Sequence, residues 1–384
     1  MKKLIRITTV PISLEKLLEN QARFFKKYYS VTLVSAQKEQ LEALAKEQGV
    51  AYFPLEMTRK ITPLQDLRCL IQLIRFLREE KPHIIHSHTP KAGIIGMLAA
   101  FIARIPVRMH TVAGLPLMEA KGLKKRILYA VERLTYRCAT HVYPNSEGLM
   151  DFIQEKKLAG NTPLKRLGRG SSNGIDVDYF NPDLISAKRQ DELRKQWKIG
   201  HDDFVFLFIG RLVGDKGVNE LVAAFEQLAN KIPAVKLLLV GPQEPTLDPL
   251  DQVTITAIDK NPNILSTGYQ KDVRPFLKMA QVFVFPSYRE GFPNVVLQAG
   301  AMGVACIVSD INGCNEIIED EVNGFVVPPK QVQPLTKKMQ SLYEDAEKRN
   351  TFIQRTQTLI ATNFERAQYW KLLLAEYQLR EKDV

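Results

Sequence analysis

The stretch PSYREGFPNVVLQAGAMG, residues 286–303, has the pattern of a strand end, a tight loop and the start of a helix. Four apolar residues, Val282–Phe285, precede it, as in a strand of a parallel sheet that is covered on both faces. Gly291 permits a sharp turn, and Pro293 suits the first helical position because it has no N–H to donate. The amides of residues 294–296 then lack helical partners, and with the helix dipole they predict an anion site, most naturally for a phosphate.

Two polar side chains flank this predicted anion site. Glu290 lies at the rim of the loop, and Gln298 lies one turn below Asn294 on the same face of the helix. A carboxylate and an amide beside an anion site can hold a sugar on one side and a ribose on the other. The alternative interpretation is an ordinary connection between a strand and a helix that binds nothing.

The run EGFPNVVLQA, residues 290–299, is similar to the donor-binding motif of the retaining glycosyltransferases of family 4, which have the GT-B architecture. The family pattern is Glu, seven residues, Glu, and it usually opens with Glu-Gly-Phe. Glu290 fills the first place, but Gln298 stands in the second, where the family usually holds the ribose hydroxyls with a carboxylate. Losing that charge is expected to weaken the contact by about 1 kcal/mol. The resemblance also assigns Gly291 and Phe292 to the sugar- and ribose-binding loop.

The composition predicts a soluble globular protein with two or three domains in its 384 residues, because hydrophobic content is 45% and charged content 25%. No apolar run approaches the roughly 18 to 20 residues that a membrane span needs. The N-terminal MKKLIRITTV has the pattern of a first strand and not of a signal peptide. The four cysteines have no paired spacing, which favours a reducing cytosol and disfavours a structural zinc site.

Charge is distributed unevenly along the chain. Residues 1–170 contain 29 Lys and Arg against 14 Asp and Glu, a net charge of +15, whereas the remaining residues carry −4 of the total +11. A basic first half predicts an anionic partner, which could be a nucleic acid, a membrane face or a phosphorylated substrate.

Predicted strands and helices alternate along the first half, beginning with a strand at residues 3–10 and a helix at 15–28. This spacing predicts a right-handed, mostly parallel sheet, and ligands bind at the carboxyl ends of the strands of such sheets. The segment GRGSSNGIDVDYFNP, residues 168–182, is rich in Gly, Ser and Asn and marks a domain boundary. A second series then begins with a buried strand at 204–209.

Together with the resemblance, this pattern predicts an α/β protein of GT-B architecture, with two Rossmann-like domains whose parallel sheets face each other across a cleft. The first domain comprises residues 1–170 and would bind the acceptor. The second comprises residues 171–363 and would bind the nucleotide-sugar donor. The resemblance implies that the C-terminal helix, residues 364–384, crosses back to the first domain.

Polar residues follow the predicted strand at 83–87, within the sequence HIIHSHTPKAG. His86 and His88 share a strand face, but no third ligand is evident nearby, which disfavours a metal site. The favoured interpretation is a polar loop that faces the cleft with Lys91 available for a phosphate, and a plain helix cap is the alternative. Pro11 lies in the loop TTVPISL, which resembles the first loop of family members that act on lipid-linked sugars. We assign Pro11, His88 and Lys91 to the acceptor side.

His110 ends the next predicted strand, 107–111, and a loop containing Gly and Pro follows it. By resemblance it matches the family's active-site histidine, which reaches the donor sugar. A structural role is the alternative for a single histidine.

The segment GRLVGDKG, residues 210–217, follows the first buried strand of the second half. Gly210 lets the backbone turn close to a ligand. The planar guanidinium of Arg211, which can donate two parallel hydrogen bonds, and the compact ammonium of Lys216 could converge on a diphosphate. The resemblance assigns the same pair to the donor diphosphate. It also places the nucleobase against backbone groups near Tyr269. With the amides of the predicted anion site, the diphosphate-binding residues are Gly210, Arg211, Lys216, Asn294 and Val295.

A basic helix is predicted at residues 121–137, where apolar positions recur at helical spacing. Its lysines and arginines predict either contact with a membrane surface or a solvated outer face.

We therefore predict a hexosyltransferase that retains anomeric configuration and needs no metal or other cofactor. It would move a sugar from a nucleotide-sugar, such as a UDP- or GDP-sugar, to a lipid-linked glycan acceptor in surface polysaccharide biosynthesis. Asp176 and Asp178 resemble a metal-binding Asp-x-Asp, but GT-B enzymes do not use that motif. No carboxylate pair is evident to act as nucleophile and acid, so the same-face attack proposed for the family is favoured.

The predicted location is the cytoplasm, on the cytoplasmic face of an anionic membrane. The alternatives are a sugar-nucleotide epimerase or another GT-B enzyme such as a phosphorylase, and a non-enzymatic membrane-surface binding protein. An epimerase would act on a nucleotide-sugar alone, and a surface-binding protein would not need Arg211, Lys216 and Glu290. A nucleic-acid partner is disfavoured because the basic residues are not interleaved with aromatic residues that look exposed.

Overall fold

The computed structural model describes residues 1–118, 120–244 and 248–383. The chain forms two compact units, Met1–Gly174 with Arg366–Val384, and Ile175–Glu365. The N-terminal segment of the first unit ends at residue 174 and the second unit ends at residue 365, four and two residues after the predicted ends at 170 and 363. Gln21 explains the first difference, because its Nε2 donates at 2.7 Å to both the Ser172 carbonyl and Asn173 Oδ1 and so keeps these residues in the first unit.

The first unit contains a sheet of six parallel strands. The strands are β1 (Lys3–Ile7), β2 (Ser30–Ser35), β3 (Ala51–Pro54), β4 (Ile84–Ser87), β5 (Val107–Val112) and β6 (His141–Pro144). The helices are α1 (Pro11–Lys16), α2 (Gln21–Phe25), α3 (Lys38–Gln48), α4 (Pro63–Glu80), α5 (Pro90–Ile102), α6 (Gly122–Cys138), α7 (Glu147–Glu155) and, from the C-terminal segment, α16 (Arg366–Arg380). The strand order is β3-β2-β1-β4-β5-β6.

This order decides which helices share a face of the sheet. The chain leaves β1 toward one edge and later returns to the other edge, so right-handed connections place α1 to α3 on one face and α4 to α6 on the opposite face. Two separate hydrophobic cores match this division, and α16 packs with α2 in the core of the first face.

The predicted helix at 15–28 is wrong in its extent, because two short helices, α1 and α2, occupy this region. Asn20 separates them with a φ of 59°, a left-handed conformation that a continuous right-handed helix does not contain. The apolar spacing on which the prediction depended is preserved across the break, and Leu14, Leu18, Ala22 and Phe25 are all buried.

The second unit repeats the parallel arrangement with six further strands. They are β7 (Phe204–Ile209), β8 (Val235–Val240), β9 (Ile264–Ser266), β10 (Val282–Phe285), β11 (Ala305–Ser309) and β12 (Phe325–Val327). The helices are α8 (Ala187–Gln196), α9 (Val218–Ala229), α10 (Gln252–Lys260), α11 (Arg274–Met279), α12 (Asn294–Ala301), α13 (Cys314–Ile317), α14 (Val332–Glu344) and α15 (Ala346–Asn363).

The strand order of the second sheet is β12-β11-β10-β7-β8-β9, with β10 directly beside β7. The prediction of two Rossmann-like parallel sheets is confirmed. The loops after β7 and β10 therefore meet at one carboxyl edge. Within the described residues no helix is long and apolar enough to cross a membrane. All four cysteines are buried free thiols.

Glu132 gives the first unit a pH-dependent stability. Its side chain in α6 is only 5% exposed, and burial raises its pKa from 4.5 to about 7. The Glu132 carboxyl therefore binds a proton more tightly in the folded chain than in the unfolded chain, so protonation stabilises the fold. This contribution to the free energy of unfolding is complete below pH 4.5 and is lost as the pH rises through about 7.

We expect Glu132→Gln to raise the free energy of unfolding by roughly 1–3 kcal/mol at about pH 8 and to change it little at about pH 4.5. Urea unfolding at the two pH values measures this difference. Glu155→Gln, an exposed change in α7, is the matched control and should show no such pH dependence. An equal gain from Glu132→Gln at both pH values would show that the carboxyl is ionised in the folded chain.

Candidate active site

The loop after β7 is pressed against the end of β10. Gly217 follows the 3₁₀ turn Gly214–Lys216 with a φ of 69°, and a Cβ there would lie 2.1 Å from the carbonyl oxygen of Pro286. Only glycine fits both this conformation and this approach. The contact brings Lys216 beside Glu290, with which it forms an ion pair of partly buried side chains.

Carboxylates pair with both cations predicted to bind a diphosphate. Arg211 Nη1 donates to Glu244 Oε2 at 2.6 Å, and Lys216 Nζ donates to Glu290 Oε1. These partners could not be predicted from the sequence, because residues 33 and 74 positions apart meet only through the fold. A bound diphosphate would compete with Glu244 and Glu290 for the two cations.

The loop that carries Glu290 is fixed by hydrogen bonds that sequence reasoning missed. Ser287 Oγ donates to Glu290 Oε1 at 2.9 Å, and Asn312 Nδ2 donates to the carbonyl oxygens of Glu290 and Gly291 at 3.0 and 2.7 Å. Gly313 approaches so closely that a Cβ there would lie 2.5 Å from the Gly291 carbonyl oxygen. The segment after β11 therefore holds the loop after β10 in shape.

The N-terminus of α12 differs from the prediction in two details. Pro293 precedes the helix as its N-cap and is not its first residue. The amide of Val296 donates to the Pro293 carbonyl at 3.1 Å, so it is not available to an anion, and the diphosphate contacts of Asn294 and Val295 stay predictions. Phe292 is 6% exposed and its ring lies 5.5 Å from that of Phe364, so its side chain packs in the core, and its assignment to the sugar- and ribose-binding loop stays a prediction.

Gln298 lies half-buried on α12, and its predicted contact with the ribose can be tested by binding. We expect Gln298→Leu to weaken the affinity for a nucleoside diphosphate about fivefold, since about 1 kcal/mol of hydrogen bonding is lost. Gln298→Glu should be tolerated and should tighten binding. Calorimetric titration measures both, with the exposed Gln354→Leu of α15 as the matched control. Unchanged affinity in Gln298→Leu would remove this residue from the donor site.

Tyr269 lies in the loop after β9 and is 61% exposed. This loop is tied to the loop after β8, because the Gly241 amide donates to the Gly268 carbonyl at 2.9 Å. Its contact with a nucleobase stays a prediction.

Most of the predicted donor-site residues of the second unit lie at the carboxyl edge of its sheet. They are Gly210, Arg211, Lys216, Tyr269, Glu290, Gly291 and the start of α12.

In the first unit, His110 lies on β5 with its ring against α5. Its Nδ1 is 2.7 Å from Ser87 Oγ on the neighbouring strand β4, and a Cβ at Gly93 would lie 2.6 Å from its Cε1. The side chain is 2% exposed, and burial lowers its pKa to about 4. The imidazole is therefore neutral at neutral pH and can exchange hydrogen bonds with a hydroxyl group.

The predicted open polar loop on the acceptor side needs correction. His88 is buried and its Nε2 accepts from Arg6 Nε at 3.0 Å, because the side chain turns into the sheet and not outward. Lys91 forms an ion pair with Asp66 of α4 and is not a free cation for a phosphate. Pro11 is buried as the first residue of α1. Their assignment to the acceptor side stays a prediction.

The histidines of the His-x-His sequence are engaged by other side chains. His86 Nδ1 lies 2.7 Å from the Tyr377 hydroxyl, and His86 Nε2 lies 2.7 Å from Thr111 Oγ1. Asp176 Oδ1 accepts from the Tyr179 amide at 2.9 Å in a turn. Among the described residues, no three His, Cys, Asp or Glu side chains are grouped as a metal site.

Two family models match this chain. The model of glycosyl transferases group 1 matches residues 189–359, and that of the glycosyl transferase 4-like domain matches residues 14–168. The first range lies within the second unit and the second range lies within the first unit.

One relative and one solved structure cover almost the whole chain, and a second relative covers 78% of it. The capsular polysaccharide biosynthesis glycosyltransferase CapM of Staphylococcus aureus is 33% identical, over 98% of this chain and 97% of that protein. The UDP-Gal:alpha-D-GlcNAc-diphosphoundecaprenol alpha-1,3-galactosyltransferase of Escherichia coli is 29% identical, over 78% and 76%. The crystal structure of Anabaena HepE with UDP and glucose has a TM-score of 0.81 at 20% identity and covers 98% of this chain and 100% of that one. The predicted GT-B fold is confirmed.

Proposed function

This chain belongs to the group 1 glycosyl transferases, and we propose that it transfers a hexose from a UDP- or GDP-sugar to a lipid-linked glycan, with retention and without a metal. The observation that carries the proposal is the contact between the loops after β7 and β10. It pairs Lys216 with Glu290 just before the start of α12, at the carboxyl edge of the sheet where Arg211 also follows β7.

These groups match the charges that develop during the transfer. Arg211, Lys216 and the amides at the start of α12 would stabilise the departing diphosphate, the role that a metal ion has in other sites. Once a diphosphate engages Lys216, Glu290 is released to accept hydrogen bonds from the sugar hydroxyls. Neutral His110 would contact another sugar hydroxyl.

Retention without a covalent intermediate is the stereochemical part of the proposal. It is supported by the ion pairs of Glu290 and Glu244 with the two cations assigned to the diphosphate, which give neither carboxylate the role of a nucleophile. The acceptor oxygen would bond to the anomeric carbon on the face from which the diphosphate leaves. The acceptor's proton would pass to the departing phosphate oxygen, so the configuration is retained with no covalent enzyme intermediate.

The acceptor class rests on the named activities of the relatives and on the surface of α6. The Escherichia coli relative acts on a sugar linked to diphosphoundecaprenol. At the start of α6, Leu123 is 73% and Ile127 44% exposed, and Lys124 and Lys125 are exposed beside them. Such a segment suits an anionic membrane surface, so we place the protein on the cytoplasmic membrane face.

The test incubates the purified chain in EDTA with a polyprenyl-diphosphate sugar and single UDP- or GDP-hexoses. Mass spectrometry should show an acceptor that is heavier by one hexose. Activity lost in EDTA and restored by magnesium or manganese would contradict metal independence. Conversion of a nucleotide-sugar into its epimer without acceptor would favour the epimerase alternative.

A further inference from the structure

The outward face of α4 exposes an apolar ridge. Ile61 lies two residues before the helix and is 66% exposed, while Leu64, Leu67 and Ile71 are 78%, 53% and 44% exposed. Leu64, Leu67 and Ile71 recur at spacings of three and four residues, so they lie on one side of the helix. Cys69, Leu73 and Leu77 on the other side are buried in the core. These exposed residues therefore form a continuous strip and not scattered surface positions.

Cations outnumber carboxylates around this ridge. Five exposed cations lie between positions 59 and 78, namely Arg59, Lys60, Arg68, Arg75 and Arg78, and the exposed carboxylates that flank this segment are Glu56 and Glu79. Asp66, the acidic residue of the first turn, is ion-paired with Lys91. An apolar strip with an excess of cations around it is complementary to an anionic lipid surface, where long basic side chains reach the headgroups.

The ridge lies at the same end of the first unit as the exposed start of α6. Each of these helices runs back along the sheet after its strand, so its N-terminus lies at the carboxyl edge. Helix α5 packs against both α4 and α6, so the three form one layer on one face of the sheet. The exposed segments 61–71 and 123–127 thus flank the N-terminus of α5 on one layer.

A shallow groove runs beside the ridge between α4 and β3. Its volume is about 500 Å³. Phe53 and Phe76 stack at 3.9 Å in its lining, and its charged lining residues are Arg68, Arg75 and Glu79, two cations against one carboxylate. Aromatic rings next to guanidinium groups suit the glycerol and first methylenes of a lipid whose phosphate is held by arginine.

We propose that the outward face of α4 is a docking surface for anionic phospholipid, with the apolar ridge entering the membrane interface and Arg68 and Arg75 binding lipid phosphates. This deepens the proposed function, on which it rests for the membrane-embedded acceptor. Docking through α4 and α6 together would present the carboxyl edge of the first sheet, with His110, to lipid-borne substrates.

Vesicle sedimentation of the full chain tests the proposal. The apolar variant combines Leu64→Gln, Leu67→Gln and Ile71→Gln, and the basic variant combines Arg68→Gln and Arg75→Gln. With vesicles containing phosphatidylglycerol, we expect each variant to lower the partition coefficient about tenfold or more. The loss in the basic variant should disappear at about 0.5 M salt, whereas the loss in the apolar variant should persist. Lys124→Glu with Lys125→Glu measures the contribution of α6 in the same assay.

Matched controls lie on the second unit. Val253→Gln in α10 removes a side chain that is 77% exposed, and Lys188→Gln with Lys195→Gln in α8 removes two exposed cations. Both controls should bind vesicles like the unaltered chain. Wild-type binding by the two α4 variants would overturn the proposal. Light scattering gives a second contradicting outcome. If the unaltered chain is a dimer, and the apolar variant is a monomer that still binds vesicles, the ridge is covered by a second copy of the chain and not by lipid.

A parallel assay separates this proposal from the proposed function. Transfer to a short-chain, water-soluble polyprenyl-diphosphate sugar should be equal in the unaltered chain and the α4 variants, because no membrane is needed. Transfer without α4-dependent vesicle binding would overturn the docking surface alone. Vesicle binding that depends on α4, with no transfer to any acceptor, would support the docking surface and contradict the proposed function.

Discussion

Replacing Arg211 or Lys216 by Ala should lower the rate of sugar transfer by roughly 10²-fold or more, about 2.7 kcal/mol of transition-state stabilisation. Both side chains stand at the carboxyl edge where the loops after β7 and β10 meet. Their charge is needed most when the diphosphate leaves, so the loss should appear mainly in kcat. Initial rates with donor and acceptor both saturating measure it.

The control is Lys338→Ala, which removes a cation paired with Glu321 on the same unit. It should leave the rate unchanged. Each Ala variant also leaves a carboxylate, Glu244 or Glu290, without its partner. Thermal unfolding must therefore show that the variants are folded before rates are compared. Turnover near that of the unaltered chain in a folded Arg211→Ala, Lys216→Ala double variant would remove the diphosphate site from this account.

Replacing Gly93 by Ala should lower transfer as severely as His110→Ala, roughly 10²-fold in each case. A Cβ at Gly93 would lie 2.6 Å from His110 Cε1, so the ring or the helix must shift, and we expect this shift to disturb the contact between His110 and Ser87. A displacement of about 1 Å in a group that positions substrate can cost about this factor. The rate of transfer at saturating donor measures the effect.

Two comparisons make the Gly93 result specific. Gly96→Ala also adds a methyl group to α5, but its nearest neighbour would be a methyl carbon of Ile7 at 3.3 Å, so transfer should be largely kept. Nucleoside diphosphate affinity should be unchanged in Gly93→Ala, since the predicted diphosphate residues belong to the second unit. Full activity in His110→Ala would assign this histidine a structural role only.

The parallel sheets could be predicted because their signals are local. Apolar runs such as Val282–Phe285 and the turns that follow them are determined by neighbouring residues, and they place Arg211, Lys216 and Glu290 at the ends of strands. The order of the strands then brings the loops together. Sequence reasoning could therefore predict the edge at which the candidate site lies.

The partners of the site residues could not be predicted in the same way. Glu244 meets Arg211, and Asp66 meets Lys91, only after distant segments fold together. The burial of Phe292 depends on Phe364, which lies 72 positions later in the sequence. The sequence pattern does not show whether a polar or aromatic residue beside a strand end faces inward or outward, and this is where the predicted site needed correction.

The anomeric configuration of the product formed in EDTA tests the central claim, which is transfer with retention by cationic residues and without a metal. NMR of the purified product, made from an α-linked nucleotide-sugar, gives this configuration directly. The account predicts an α-linked product that forms at the same rate with and without EDTA. A β-linked product, or no product until magnesium or manganese is added, would contradict it.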